Sequence, residues 1–238
     1  MIVGFAGTRK GTSENLIKRI FSGMKNRDVK VVVGDCIGVD EQVYYYCKRN
    51  GIPVGVFAVE GNWCKISYQP STNDVLRYVG SLHEPLKRRL AMRTLELLNF
   101  LEKNGGVLIA IYDRYYDLHG NRRTRSRGTL LAVTTAEKRG IPVWEFPATK
   151  KGALILVDEY LSLSKRVKEL RLHEKVRARQ RLDPFEKLLW KDWKKLRTIV
   201  ALSCPAFGIE IRPRSKGSEE SSKGSSVRQV VKGKGSER

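Results

Sequence analysis

Five short apolar runs, rich in β-branched side chains and separated by segments of mostly helical spacing, restrict this chain to a narrow set of folds. The runs are Ile2 to Ala6, Val29 to Val33, Pro53 to Val59, Val107 to Tyr112 and Pro142 to Phe146. Uninterrupted runs of this length mark strands buried on both faces. Between them apolar residues recur every three or four positions, as in Leu16, Ile20 and Met24, or Val43, Tyr46 and Cys47, which is the spacing of one helical face. Strands alternating with helices build a parallel sheet covered on both sides. The expected fold class is therefore α/β, a doubly wound, parallel, five-stranded, Rossmann-like sheet spanning residues 1 to 148.

In such a sheet a ligand sits outside the carboxyl ends of the strands, where loops diverge and helix N-termini converge. The turns after the strands are thus the informative segments. The first is Gly7-Thr8-Arg9-Lys10-Gly11-Thr12-Ser13, with small residues that admit a ligand to the backbone and a fixed charge on Arg9. The second is Gly34-Asp35-Cys36-Ile37-Gly38-Val39-Asp40, in which Asp40 reads as a cap for a helix beginning near Glu41. After the third strand Trp63 stands where a base or sugar could stack. After the fourth, a loop from Asp113 holds Arg114, Arg122, Arg123 and Arg125, then Ser126-Arg127-Gly128-Thr129 opens a helix whose amides suit an anion. A further helix, Glu84 to Leu101, begins with a cationic half containing Arg88, Arg89 and Arg93.

Four of these pieces, in this order, resemble the SLOG superfamily, which groups the Rossmann domain of DNA-processing protein A, the Lonely-guy phosphoribohydrolases and stand-alone nucleotide sensors. They are Gly7-Thr8-Arg9 for the G-[ST]-R turn, Gly34 to Asp40 for G-x-x-x-G-x-D, Arg88-Arg89-x-x-Met92 for R-N-x-x-M, and Ser126-x-Gly128-Thr129 for S-x-G-T. Arg89 departs from the family's usual Asn. The Lonely-guy enzymes carry a Glu soon after the last turn, where this chain has Leu130-Leu131-Ala132. The resemblance implies a nucleotide, NAD or ADP-ribose derivative held by Gly7, Thr8, Arg9, Gly34, Gly38, Asp40, Arg88, Arg89, Ser126, Gly128 and Thr129, to which the place of Trp63 after the third strand adds a stacking candidate. The missing Glu favours binding without catalysis. N-glycoside hydrolysis through Asp40 or Asp113 stands as a lesser alternative, and single-stranded DNA handling like that of DNA-processing protein A as another.

The net charge of +21, from 46 Lys and Arg against 25 Asp and Glu, points to a polyanionic partner, DNA or RNA. Residues 149 to 212 read as a basic helical extension. Tyr160, Leu163, Val167 and Leu170 form one apolar stripe; Leu189, Trp193, Leu196 and Val200 form another, behind the helix start Asp183-Pro184-Phe185-Glu186. Their polar faces carry Lys165, Arg166, Lys168, Arg171, Lys175, Lys191, Lys194 and Lys195, a density suited to nonspecific phosphate contact. Residues 213 to 238 have the composition of a disordered Ser/Gly/Lys tail. Cys36, Cys47, Cys64 and Cys204 lack metal-ligand spacing, so free thiols and no metal site are expected. No signal segment or membrane span is legible; a cytoplasmic location is the default, and the oligomeric state is open.

Overall fold

The computed structural model describes residues 1–25, 27–61, 66–116 and 122–211. Trp63, part of the basic loop and the Ser/Gly/Lys tail lie outside them. The elements are β1 (Ile2–Gly7), α1 (Glu14–Ser22), β2 (Lys30–Gly34), α2 (Val39–Arg49), β3 (Val54–Val59), β4 (Val75–Val79), α3 (Leu86–Lys103), β5 (Val107–Ile111), the two-residue strands β6 (Tyr115–Tyr116) and β7 (Arg122–Arg123), α4 (Arg127–Lys138), β8 (Val143–Phe146), α5 (Lys150–Glu169), α6 (Leu172–Arg177) and α7 (Pro184–Ala206). The main sheet runs β4-β3-β2-β1-β5-β8, and every neighbouring pair is parallel.

The sheet has six strands where the sequence suggests five. The additional one, β4, lies at the sheet edge with Leu76, Arg77 and Tyr78 exposed, so it lacks the apolar run of a strand covered on both faces. Among the described residues no α-helix stands between it and β3. The connection instead folds back over the end of β2, where Ile37 N donates to Ile66 O (2.8 Å) and Tyr68 N to Asp35 O (3.1 Å). The Tyr44 hydroxyl then ties this connection to α2 through Asp74 (2.7 Å).

Side-chain alternation along the strands separates two cores. Val3, Phe5, Val31, Val33, Ile109 and Ile111 face α1 and α2, whereas Val32, Phe57, Leu108 and Ala110 face α3 and α4. Helices α5 and α7 extend the first layer: Ala153, Leu156, Ile199, Val200 and Cys204 are buried in the same core as Phe5 and Ile17. Leu156, Ile199 and Val200 each contribute roughly 1.5–3 kcal/mol by burial, so these helices are fixed to the sheet. Their far ends form a hairpin with its own core of Val167, Leu172, Leu182, Leu189 and Trp193. Helix α7 begins as the sequence suggests, with Pro184 in its first turn and a reciprocal cap between Asp183 and Glu186. Because β1 pairs with β2 on one side and β5 on the other, strand order reverses at β1. The carboxyl ends of β1 and β5 are therefore the switch point, the place where open α/β sheets receive ligands.

Candidate functional site

The floor of the site is a cluster of buried polar side chains at the end of β2. Asp35, fully buried, accepts hydrogen bonds from Val59 N (3.0 Å) and Arg93 Nη1 (2.5 Å). The same guanidinium lies 3.3 Å from Cys36 Sγ and 3.9 Å from Asp40 Oδ2. Tyr68 closes the cluster by donating to Gly34 O (2.9 Å). Arg93 reaches this position because it precedes Leu97 and Leu101 by one and two turns of α3, on the buried stripe.

One cation thus serves two carboxylates, and Asp40 is the less well served. Its Oδ1 is buried without a hydrogen-bond partner. Burial, opposed by Arg93 and reinforced by Asp35, pushes its carboxyl up to about 7. Burial likewise raises the Cys36 thiol and the Tyr68 hydroxyl. For Arg93 the cost of burial is outweighed by Cys36, Asp40 and Asp35, which hold it charged. Asp40 is therefore the member of the cluster pushed toward neutrality, while Arg93 stays charged.

Asp40 is not the cap of its helix. Gly38 holds that position with φ 92°, and Asp40, the second helical residue, turns its side chain toward Arg93. Three of the four glycines of the sequence motifs make room for protein atoms. A Cβ on Gly7 would lie 2.4 Å from Val39, and one on Gly38 2.5 Å from the backbone of Thr8 and Arg9. On Gly34 it would lie 2.6 Å from both Arg93 and Asp40. Gly128 differs, since among the described residues nothing outside its own helical turn lies within 4 Å of its missing Cβ.

Above this floor, Thr8 joins the strand ends. Its N–H donates to Ile111 O of β5 (3.0 Å), and its carbonyl accepts from Gly11 N (3.1 Å) and Val39 N (3.2 Å). Arg9 and Lys10 are left exposed. On the β5 side the Thr124 hydroxyl donates to Asp113 O (2.7 Å) and accepts from Ser126 N (3.0 Å), positioning the start of α4. Exposed Arg125, Arg127 and Gly128 flank that start, and Thr129 is buried. The Gly7, Gly34 and Ser126 turns therefore come together at one rim.

Other expected residues are engaged elsewhere. Asp113 accepts from Ala148 N (2.9 Å), Thr149 N (3.0 Å) and Thr149 Oγ1 (2.7 Å), clasping β5 to the start of α5. Arg88 is exposed and pairs with Glu84 at 3.2 Å. Arg89 donates to Glu60 O (2.6 Å) at the end of β3, its Nε buried without a partner. Arg114 bridges Glu145 (3.2 Å) and Glu159 (2.5 Å), and Glu145 also accepts from the Tyr112 hydroxyl. Lys165, Arg166, Lys168, Arg171, Lys191 and Lys194 are exposed, Lys195 is half-buried, and Lys175 is paired with Glu186. The described cysteines Cys36, Cys47 and Cys204 are free and buried. No described helix is long and apolar enough to cross a membrane.

No family model matches this chain, and no curated protein matches it. Among solved structures it is similar to DNA processing protein A (DprA) from Streptococcus pneumoniae, with 18% sequence identity and a TM-score of 0.41. The match covers 66% of this chain and 56% of that one, little more than half its length.

Proposed function

We propose that this protein binds a nucleotide or nucleotide-derived ligand at the switch point, over the ends of β1 and β5. The observation that carries the proposal is the arrangement at the switch point. Thr8 bonds to the end of β5 and to the start of α2, which sets the exposed Arg9-Lys10 turn on one side of β1. The first turn of α4, where no described neighbour outside the helix crowds Gly128, stands on the other. Free amides at a helix N-terminus and nearby cations favour a phosphate. Catalysis is no part of the proposal, because Leu130-Leu131-Ala132 supply no acid beside that turn. Calorimetry with AMP, ATP, NAD and ADP-ribose tests it. Binding by at least one, weakened about tenfold in Arg9→Ala through loss of a charged hydrogen bond, is expected. No binding by any of them, or an unaffected Arg9→Ala, would refute it.

A second reading concerns nucleic acid. Between residues 165 and 197 thirteen Lys and Arg stand against five Asp and Glu, most of them exposed on the α5–α7 hairpin. Such a surface binds phosphates without reading sequence, and its affinity falls steeply with salt. Deleting residues 150 to 238 would not test this, since it removes Ile199, Val200 and Cys204 from the main core. Lys165→Glu combined with Lys191→Glu is the suitable variant. It should weaken binding of an oligonucleotide and flatten its salt dependence; salt-independent or absent binding by the parent would end this reading.

A further inference from the structure

Asp40 lies close beneath the Thr8-Arg9 turn, with little solvent between them. Val39, its neighbour, donates its N–H to Thr8 O (3.2 Å), and a Cβ on Gly38 would lie 2.5 Å from the backbone of Thr8 and Arg9. Val39 is fully buried and Asp40 is 5% exposed, so charge placed on that turn is poorly screened from the carboxylate. Among the described residues, Asp35 and Cys36 at the end of β2, Arg93 of α3 and Tyr68 of the connection to β4 face it. Glu41, next on α2, is engaged with Gly38 N (3.4 Å), and Tyr44 with Asp74. Charge within the cluster is uneven. Arg93 lies nearer Asp35 (2.5 Å) than Asp40 (3.9 Å). Asp35 also accepts from Val59 N, whereas Asp40 Oδ1 is buried without a partner. Burial keeps the Cys36 thiol and the Tyr68 hydroxyl protonated, and Arg93 stays charged.

We propose that a nucleotide bound at the switch point draws a proton from solvent onto Asp40, so that its affinity rises as pH falls through neutrality. The proposal rests on the nucleotide reading above and adds the regulation of that site by pH. An anion drawn to the exposed Arg9 and Lys10 cancels their field at Asp40 and adds its own, and both changes favour the neutral carboxyl. A ligand hydroxyl donating to Oδ1 would have the opposite effect, but protein covers that atom. A charge about 10 Å away across an interior of effective dielectric about 20 alters an ionisation by on the order of tenfold. Without ligand, burial and Asp35, against the pull of Arg93, push the Asp40 carboxyl up to about 7. The ligand moves it higher, so between roughly pH 6 and pH 9 the complex holds a proton that the free protein has released.

The test is calorimetry of the full chain with AMP, ATP, NAD and ADP-ribose near neutral pH, in buffers of different ionisation enthalpy, which counts the protons exchanged. NAD and ADP-ribose are the cleanest probes, because their pyrophosphates stay fully ionised across neutrality. For AMP and ATP the phosphate's own titration cancels in the comparison with Asp40→Asn. The parent should take up about half a proton per ligand, and its affinity should fall roughly five- to tenfold from pH 6 to pH 9. Asp40→Asn, which cannot take the proton, should show neither effect with NAD or ADP-ribose and should bind at pH 9 more tightly than the parent does. No net uptake by the parent, release in place of uptake, or equal uptake by Asp40→Asn would each overturn the inference and leave the nucleotide reading standing. An Asp40→Asn protein that is folded but binds nothing would overturn it too, since the carboxylate would then be a ligand contact; the parent's buffer series decides the matter if the variant does not fold. Failure of all four nucleotides to bind the parent overturns both.

Discussion

Replacing Asp40 with asparagine removes a charge that the fold disfavours, and the benefit should depend on pH. In the unfolded chain this carboxyl titrates near its ordinary value of 3.8; in the folded protein, burial raises it to about 7. Between those values the folded state holds a proton that the unfolded state has released, so stability falls as pH rises through the window. Below it both states are protonated, and above it both are ionised. A shift of about three units corresponds to roughly 4 kcal/mol in total, of which about 2 to 3 falls between pH 5 and pH 8. Asparagine occupies the same volume and does not titrate. Urea unfolding of parent and variant at both pH values isolates this contribution, because other titrating groups cancel in the difference. The variant should gain on the parent by about 1 M in midpoint between pH 5 and pH 8, given a slope of about 2 to 3 kcal/mol/M. An equal difference at both pH values, or a parent that gains on the variant as pH rises, would refute the reasoning.

Arg93→Met strands Asp35 and Asp40 in the interior without a cation and should cost about 3–5 kcal/mol at neutral pH, measured by chemical denaturation; adding Asp40→Asn should recover part of it. Gly34→Ala places a methyl 2.6 Å from both Arg93 and Asp40 and should cost roughly 1–3 kcal/mol. In the same assay Gly128→Ala, which meets no described neighbour outside its own helix, should be neutral or gain up to about 1 kcal/mol. Asp113→Ala opens the clasp on Ala148 and Thr149 and should lower the melting temperature by roughly 5–10 °C.

The strands that sequence pattern reveals are those that are covered on both faces. Val31-Val32-Val33 and Leu108-Ile109-Ala110 must be apolar throughout because helices pack on each side, and such runs are conspicuous. Val75 to Val79 escapes notice because three of its five residues face solvent. At the site, glycines located the turns correctly but did not distinguish a close approach by ligand from one by protein. At Gly7, Gly34 and Gly38 the nearby atoms belong to Val39, Arg93, Asp40 and the Thr8-Arg9 backbone. Arg93 was visible as one of several cations at the head of a helix. Its burial was encoded in its register with Leu97 and Leu101, a position where an arginine demands buried acids. Tyr68 carried no comparable signal, since it belongs to a connection whose path depends on the unrecognised β4.

The placement of α7 on the core has a consequence for biosynthesis. Ile17, Ile20 and Phe21 of α1 share a buried cluster with Ile199, Val200 and Cys204, so residues made early are covered by residues made near position 200. Translation proceeds at about 5–20 residues per second, which leaves that apolar surface uncovered for roughly ten seconds or more. A nascent chain stalled before α7 would expose a sticky face however well its strands had paired. The yield of folded protein should therefore depend on chaperone supply more than the regularity of the sheet alone would suggest.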